Sequence, residues 1–108
     1  MLPPFTMSKE ETMAIVAVFQ HPSLTQERYE KSVSGLTGKS RMESPADWPV
    51  EGLLAHVAGE SENGFCVVDV WESEEAFNRF GEKLMPVLQS VGVEGRPDVY
   101  PAHTFVSA

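Results

Sequence analysis

The sequence predicts an α+β domain with the element order β-α-β-β-α-β, an antiparallel sheet carrying two helices on one face. Three observations predict it. Four stretches read as strands by alternation or by a short continuous apolar run. Two longer stretches space their apolar residues at the helical period behind a good N-cap. The second and third strand candidates are separated by a few polar residues only, which reads as a hairpin.

Residues 13–20, "MAIVAVFQ", form the first strand. It is apolar on both faces, as a central strand is. "HPS" stops it: Pro22 ends the ladder, and Ser23 with Gln26 fits a capping box, with Thr25 as the other capping residue. A helix follows over about 25–36, with Tyr29, Val33 and Leu36 inward and Glu27, Arg28, Glu30 and Lys31 in water. Residues 37–51, "TGKSRMESPADWPVE", have no period and make a long loop, the kind that often binds or covers a ligand. Trp48 and Arg41 in it either close over a ligand or pack on the rim of the sheet.

Residues 52–59, "GLLAHVAG", and 64–71, "GFCVVDVW", pair as the hairpin. A four-residue connection, "ESEN", sets Gly59 opposite Gly64, His56 opposite Val67 and Leu54 opposite Asp69. One face then carries Leu53, Ala55, Val57, Cys66, Val68 and Val70. The other carries Leu54, His56, Ala58, Phe65, Val67, Asp69 and Trp71. The second helix starts at the N-cap Ser73, with Glu74 and Glu75 against the positive end of its dipole. Its apolar stripe runs through Ala76, Phe77, Phe80, Leu84, Val87, Leu88 and Val91; Pro86 is expected to kink or divide it, and Gly92 or Gly95 to end it. Residues 97–106 form the last strand, placed at an edge or bulged because Pro101 lacks a ladder donor.

This order is the ferredoxin-like plan. Residues 1–12 read as a flexible leader and 13–108 as a single domain, which 108 residues suit. Both helices lie on one side, so the other sheet face is bare. A bare face that includes Leu54, Ala58, Phe65 and Val67 is too apolar for water, and two such sheets packed together would bury it. The expected partner is therefore a second copy, a homodimer through the sheet face.

A net charge of -8 and scattered basic residues argue against nucleic acid as a partner. The longest apolar run is too short to span a bilayer, so no membrane association is expected. The single cysteine, Cys66, excludes an internal disulfide and reads as a buried, inert thiol. A cytoplasmic setting follows as the expectation. No metal-ligand spacing, phosphate-binding glycine loop or G-x-S-x-G motif is present in the sequence.

Asp69 inside "CVVDVW" and His56 inside "LLAHVAG" are the candidate catalytic residues. A carboxylate in an apolar strand needs a partner or water; Asp69 is either a cross-sheet pair member or a pocket base with a raised pKa. An imidazole titrates near neutrality and suits proton transfer; His56 is either that or an interface residue. His103 in the last strand is a further ligand-contact candidate, whereas His21 reads as a loop residue.

"VVDVWESEEAFNRF", residues 67–80, resembles the strand-to-helix junction of the dimeric α/β-barrel superfamily, above all small bacterial proteins related to antibiotic-biosynthesis monooxygenases. A W-x-S-x-E-x-F pattern recurs there, matched here by Trp71, Ser73, Glu75 and Phe77, and the likeness of element order covers about 13–106. The resemblance implies a pocket between sheet and helices, with Trp71 and Phe77 on its walls; Trp48, from the long loop, is a further ligand-contact candidate. Some members of the family work without metal or flavin and others bind haem; the ligand expected here is small and apolar or aromatic. The helix-two histidine and first-strand asparagine of haem-degrading relatives are absent, so no cofactor is expected. The alternative is a non-catalytic assembly module. An internal cavity of a few hundred Å³ favours the first; a space beside Trp71 filled by Phe77, Phe80 and Leu84 favours the second.

Overall fold

The computed structural model describes residues 13–107. The leader read in residues 1–12 lies outside the described residues. Four strands and two helices follow the expected order: β1 (Ile15–Gln20), α1 (Gln26–Thr37), β2 (Leu53–Ser61), β3 (Gly64–Trp71), α2 (Glu74–Val91) and β4 (Asp98–Pro101), with a one-turn 3₁₀ helix at Pro45–Asp47 in the long loop. The sheet order is β2-β3-β1-β4, antiparallel throughout. This α+β arrangement is compatible with the ferredoxin-like plan.

Local chemistry explains most boundaries. Thr25 caps α1 by accepting from the Arg28 N–H at 3.2 Å, and Gly38 closes it in the left-handed region at φ 77. Ser23, expected as a cap, instead accepts from the Glu94 N–H at 2.7 Å and so ties the start of α1 to the segment after α2. Arg28 is not free in water either; its guanidinium donates to the carbonyls of Ser23 and Gly92 at 3.0 and 3.1 Å. His21 is likewise more than a loop residue: its Nδ1 lies 2.8 Å from Ser23 Oγ, and its ring packs against Gly95, where an added Cβ would meet it at 2.7 Å. Ser73 caps α2 from Ala76 N–H at 3.1 Å. The helix runs unbroken past Pro86 to Gly92, at φ 81. The expected division does not occur, because helix–sheet packing on either side outweighs one lost backbone bond.

The hairpin register differs from the sequence-based one by two residues. β2 continues to Ser61, so the connection is Glu62–Asn63 alone, followed by Gly64 at φ 112. Ser61 pairs with Gly64, Ala58 with Val67, and His56 with Asp69. A two-residue slip keeps every side chain on its face but changes each opposite number. Beyond His56 a β-bulge intervenes: Ala55 pairs with Val70 and Leu53 with Trp71, leaving Leu54 as the extra residue. The bulge turns Leu53 into the core and Leu54 out to solvent, so Leu53 rather than Leu54 shares the face of His56, Asp69 and Trp71.

Both helices cover the face that carries Phe65, Val67, Asp69 and Trp71. Ile15, Val33, Trp48, Leu53, Trp71, Ala76 and Phe80 form one buried cluster, and Leu24, Phe65, Leu88 and Val93 a second. The uncovered face is therefore the other one. The register places Val57, Val68, Val18 and Asp98 in one row across it and Ala55, Val70, Val16 and Tyr100 in the next. Ala58, Phe65 and Val67, expected there, lie beneath the helices instead. Cys66, half-buried, also belongs to the uncovered face rather than to the interior. β4 is the expected edge strand, ended early by Pro101; the Ala102 N–H then donates to Ala14 O at 2.9 Å. No helix among the described residues is long and apolar enough to cross a membrane.

Candidate functional site

The two-residue register shift builds the site. His56 and Asp69 become direct cross-strand partners on the covered face, and His56 Nδ1 lies 2.6 Å from Asp69 Oδ1. Asp69 is 6% exposed. Its second oxygen accepts from Trp71 Nε1 at 3.2 Å. Both oxygens of this buried carboxylate are thus partnered, which is the condition for burying it. The other edge of the imidazole is met from α1: Tyr29 Oη lies 2.6 Å from His56 Nε2.

Proton placement follows from what each atom can do. A carboxylate only accepts, so His56 Nδ1 carries a hydrogen and donates it to Asp69. In the neutral ring Nε2 is then an acceptor, and Tyr29 O–H donates to it. The chain reads Tyr29 → His56 → Asp69, running from helix to sheet. Burial raises the Tyr29 pKa above its ordinary value, and the negative charges of Asp69 and Glu30 add to the effect. Tyr29 therefore holds its proton at neutral pH, and its oxygen lone pairs remain as acceptors.

Aromatic rings enclose the chain. Tyr29 and His56 are nearly parallel with centroids 5.8 Å apart, and Phe65 tilts against Tyr29 at 5.1 Å. Trp48 lies 5.2 Å from the His56 ring and stacks on Phe80 at 5.6 Å. An indole this close stabilises an imidazolium if His56 takes up a proton.

Trp48 reaches this depth because the long loop is anchored. Asp47 Oδ2 accepts from the Glu43 and Ser44 N–H groups at 2.8 and 3.1 Å. Lys39 Nζ reaches Asp47 Oδ1 at 2.8 Å. The hydrogen bond from Lys39, followed by those two backbone donors, pushes the Asp47 pKa down to about 2. Trp48 itself is 7% exposed, a core residue rather than a rim residue.

A cavity of about 80 Å³ lies between sheet and helices, with Tyr29, His56, Asp69, Trp48, Phe77 and Phe80 on its walls. A dry cavity of roughly 150 Å³ holds benzene, so this one takes a few heavy atoms and not a whole aromatic ring. A larger groove of about 630 Å³ opens on the outer side of Tyr29, with Arg41, Glu30 and Glu60 among its walls. Tyr29 and Val33 line both spaces.

Of the six residues expected at a site, His56, Asp69, Trp48 and Phe77 meet at the cavity. Trp71 does not line it: fully buried, it is stacked on Phe80 at 4.9 Å with Phe77 at its edge at 6.1 Å. Its part is to hold Asp69. His103 is exposed, lies outside the cavity walls, and has Thr104 Oγ1 2.8 Å from its Nδ1. Tyr29, expected only on the inward stripe of α1, is the residue that sequence reasoning missed. A buried phenol on the inward stripe of α1 needs a partner, and the mid-strand His56 is the nearest candidate of the right chemistry. Among the described residues no group of three or more His, Cys, Asp or Glu side chains is arranged to hold a metal ion.

Comparison of the chain with family models, curated proteins and solved structures finds no match.

Proposed function

We propose that this protein binds a small molecule in the interior cavity and moves a proton to or from it without a cofactor, Tyr29 being the group that touches the ligand. The observation that carries this is the unbroken chain of short hydrogen bonds Tyr29–His56–Asp69 along a cavity wall. Tyr29 Oη takes a proton from the ligand while its own passes to His56 Nε2, and Asp69 stabilises the imidazolium. This avoids a free phenolate, which burial and Asp69 disfavour. The resemblance of residues 67–80 to monooxygenase-related barrels, some of which work without metal or flavin, supports the same reading.

The test is proton exchange on nitromethane, a compact carbon acid, in deuterated water, followed by NMR. The native protein is expected to accelerate deuterium uptake over buffer. Tyr29→Phe and His56→Gln should each lose about 100-fold of that acceleration while keeping their circular dichroism. Equal rates in native protein, variants and buffer would overturn the proposal.

We further propose that the uncovered sheet face pairs with its copy, giving the dimeric α/β barrel. Val57, 65% exposed, and the valines beside it support this. A species of twice the chain mass in sedimentation at micromolar concentration is expected, and Val57→Lys with Val68→Lys should shift it to monomer; a native monomer would sink the pairing. That face, the close packing of Phe77 and Phe80 on Trp71, and a cavity of about 80 Å³ rather than a few hundred favour the second reading, an assembly module whose polar chain only fixes the fold.

A further inference from the structure

Among the described residues, one buried side-chain nitrogen or oxygen has no hydrogen-bond partner: Nε1 of Trp48. The other polar groups on the cavity wall are occupied. Tyr29 O–H is on His56, His56 Nδ1 on Asp69 Oδ1, and Ser32 O–H on Arg28 O at 2.8 Å; Asp69 Oδ2 accepts from Trp71. Trp48 lines the same cavity, and its ring is held between His56 and Phe80. The Asp47 latch fixes the turn that delivers it, with Trp48 N–H donating to Pro45 O at 3.2 Å. Buried donors are nearly always satisfied, so an unmet one asks for an explanation.

An indole N–H donates and cannot accept. A cation gains nothing from it, and a hydrocarbon leaves it unmet. What completes it is a lone pair. Tyr29 spends its hydrogen on His56, so the phenol oxygen presents acceptor lone pairs to a ligand. Trp48 and Tyr29 both line the cavity of about 80 Å³, so its wall residues include one with an unused donor and one whose oxygen keeps acceptor lone pairs. The complementary molecule is compact, with an oxygen to accept and an acidic hydrogen to give.

We infer that Trp48 Nε1–H holds the carbonyl oxygen of a small enolisable carbonyl compound, either a whole molecule or the end of a longer one. The hydrogen bond to the carbonyl stands on the unmet donor alone; the step that follows rests on the proton-transfer reading above. The α-C–H bond breaks and its electron pair moves through the new C=C bond onto the carbonyl oxygen. The proton goes to Tyr29 Oη, and the tyrosine's own proton goes to His56 Nε2. No oxidant or reductant enters. The Trp48 hydrogen bond strengthens as the oxygen gains charge, which is where a fixed donor in a water-poor site assists most.

The experiment compares acetone with isobutene, a probe of nearly the same shape that has a methylene in place of the oxygen. Both are titrated into the full-length protein with ¹⁵N-labelled tryptophan, the Trp48 indole signal being assigned by its proximity to the His56 and Phe80 rings. Acetone is expected to move the Trp48 N–H proton downfield and isobutene to leave it in place. Acetone should bind about 10-fold more tightly than isobutene, and Trp48→Phe should erase that preference. An indole proton that ignores acetone, including one that exchanges with solvent because an ordered water already fills the donor, overturns the inference. So does an acetone preference that survives Trp48→Phe. The native titration decides even where the variant fails to fold. A Trp48 shift without nitromethane exchange sinks the proton relay and leaves the hydrogen bond; exchange without the shift does the reverse.

Discussion

Asp69→Ala is expected to cost about 3–5 kcal/mol of folding free energy, the range found when one member of a buried, hydrogen-bonded pair is removed. The loss has three parts. His56 Nδ1–H loses an acceptor at 2.6 Å, in a pair whose side chains are 9% and 8% exposed. Trp71 Nε1–H loses its acceptor at 3.2 Å in a fully buried ring. The missing carboxylate also leaves a void among large aromatic side chains that cannot collapse onto it. Equilibrium urea unfolding measures the change, and a loss under about 1 kcal/mol would mean that water reaches both donors. Asp69→Asn separates stability from chemistry. The amide nearly fills the same volume, but its NH₂ can donate to Nδ1, which forces the hydrogen onto Nε2. Tyr29 then meets a donor instead of a base, and the exchange of nitromethane is expected to fall to the buffer rate while most stability stays.

Gly52→Val carries the second large effect, about 3–5 kcal/mol, from backbone strain and overpacking together. Gly52 sits at φ 114, where a side chain is poorly tolerated, and an added Cβ would lie 2.7 Å from the Cβ of Ala76. Neither element can yield cheaply. Ala76 is fully buried in the first turn of α2, and Gly52 O accepts the Glu72 N–H at 2.8 Å. The substitution pushes the end of the long loop away from the corner between β3 and α2, and Trp48 and Leu53 flank that loop end. Urea unfolding again reads the cost. A Gly52→Val protein within about 1 kcal/mol of the native one would show that the corner relaxes freely.

Much of the fold was legible because it is written in local signals. The caps Thr25 and Ser73, the stop at Gly92 and the apolar stripe of α2 all depend on a few neighbouring residues. The register was not, because it turned on whether "ESEN" was loop or strand. Glu60 and Ser61 carry no apolar pattern, and backbone pairing with Gly64 and Phe65 decides the matter. That one ambiguity hid the His56–Asp69 pair, although each residue had been singled out alone. Tyr29 was hidden for a different reason: its bond to His56 spans 27 positions and exists only once α1 is laid across the sheet. Trp48 belongs to a segment without periodicity, and its burial depends on the Lys39–Asp47 latch. The split of "GFCVVDVW" into a valine side and a Phe65–Asp69–Trp71 side was visible throughout; which side the helices cover follows from the bulge and from size, since the large rings need a second layer to bury them.

The extra residue at Leu54 insulates one part of the chain from another. Side-chain parity along β2 is set from the Glu62–Asn63 end, and the irregularity at Leu54 absorbs whatever phase arrives from upstream. Insertions or deletions in the segment that carries Trp48 and Arg41 would therefore alter the approach to the cavity without rotating His56 away from Asp69. Such a joint lets the loop vary while the His56–Asp69 pair stays in step.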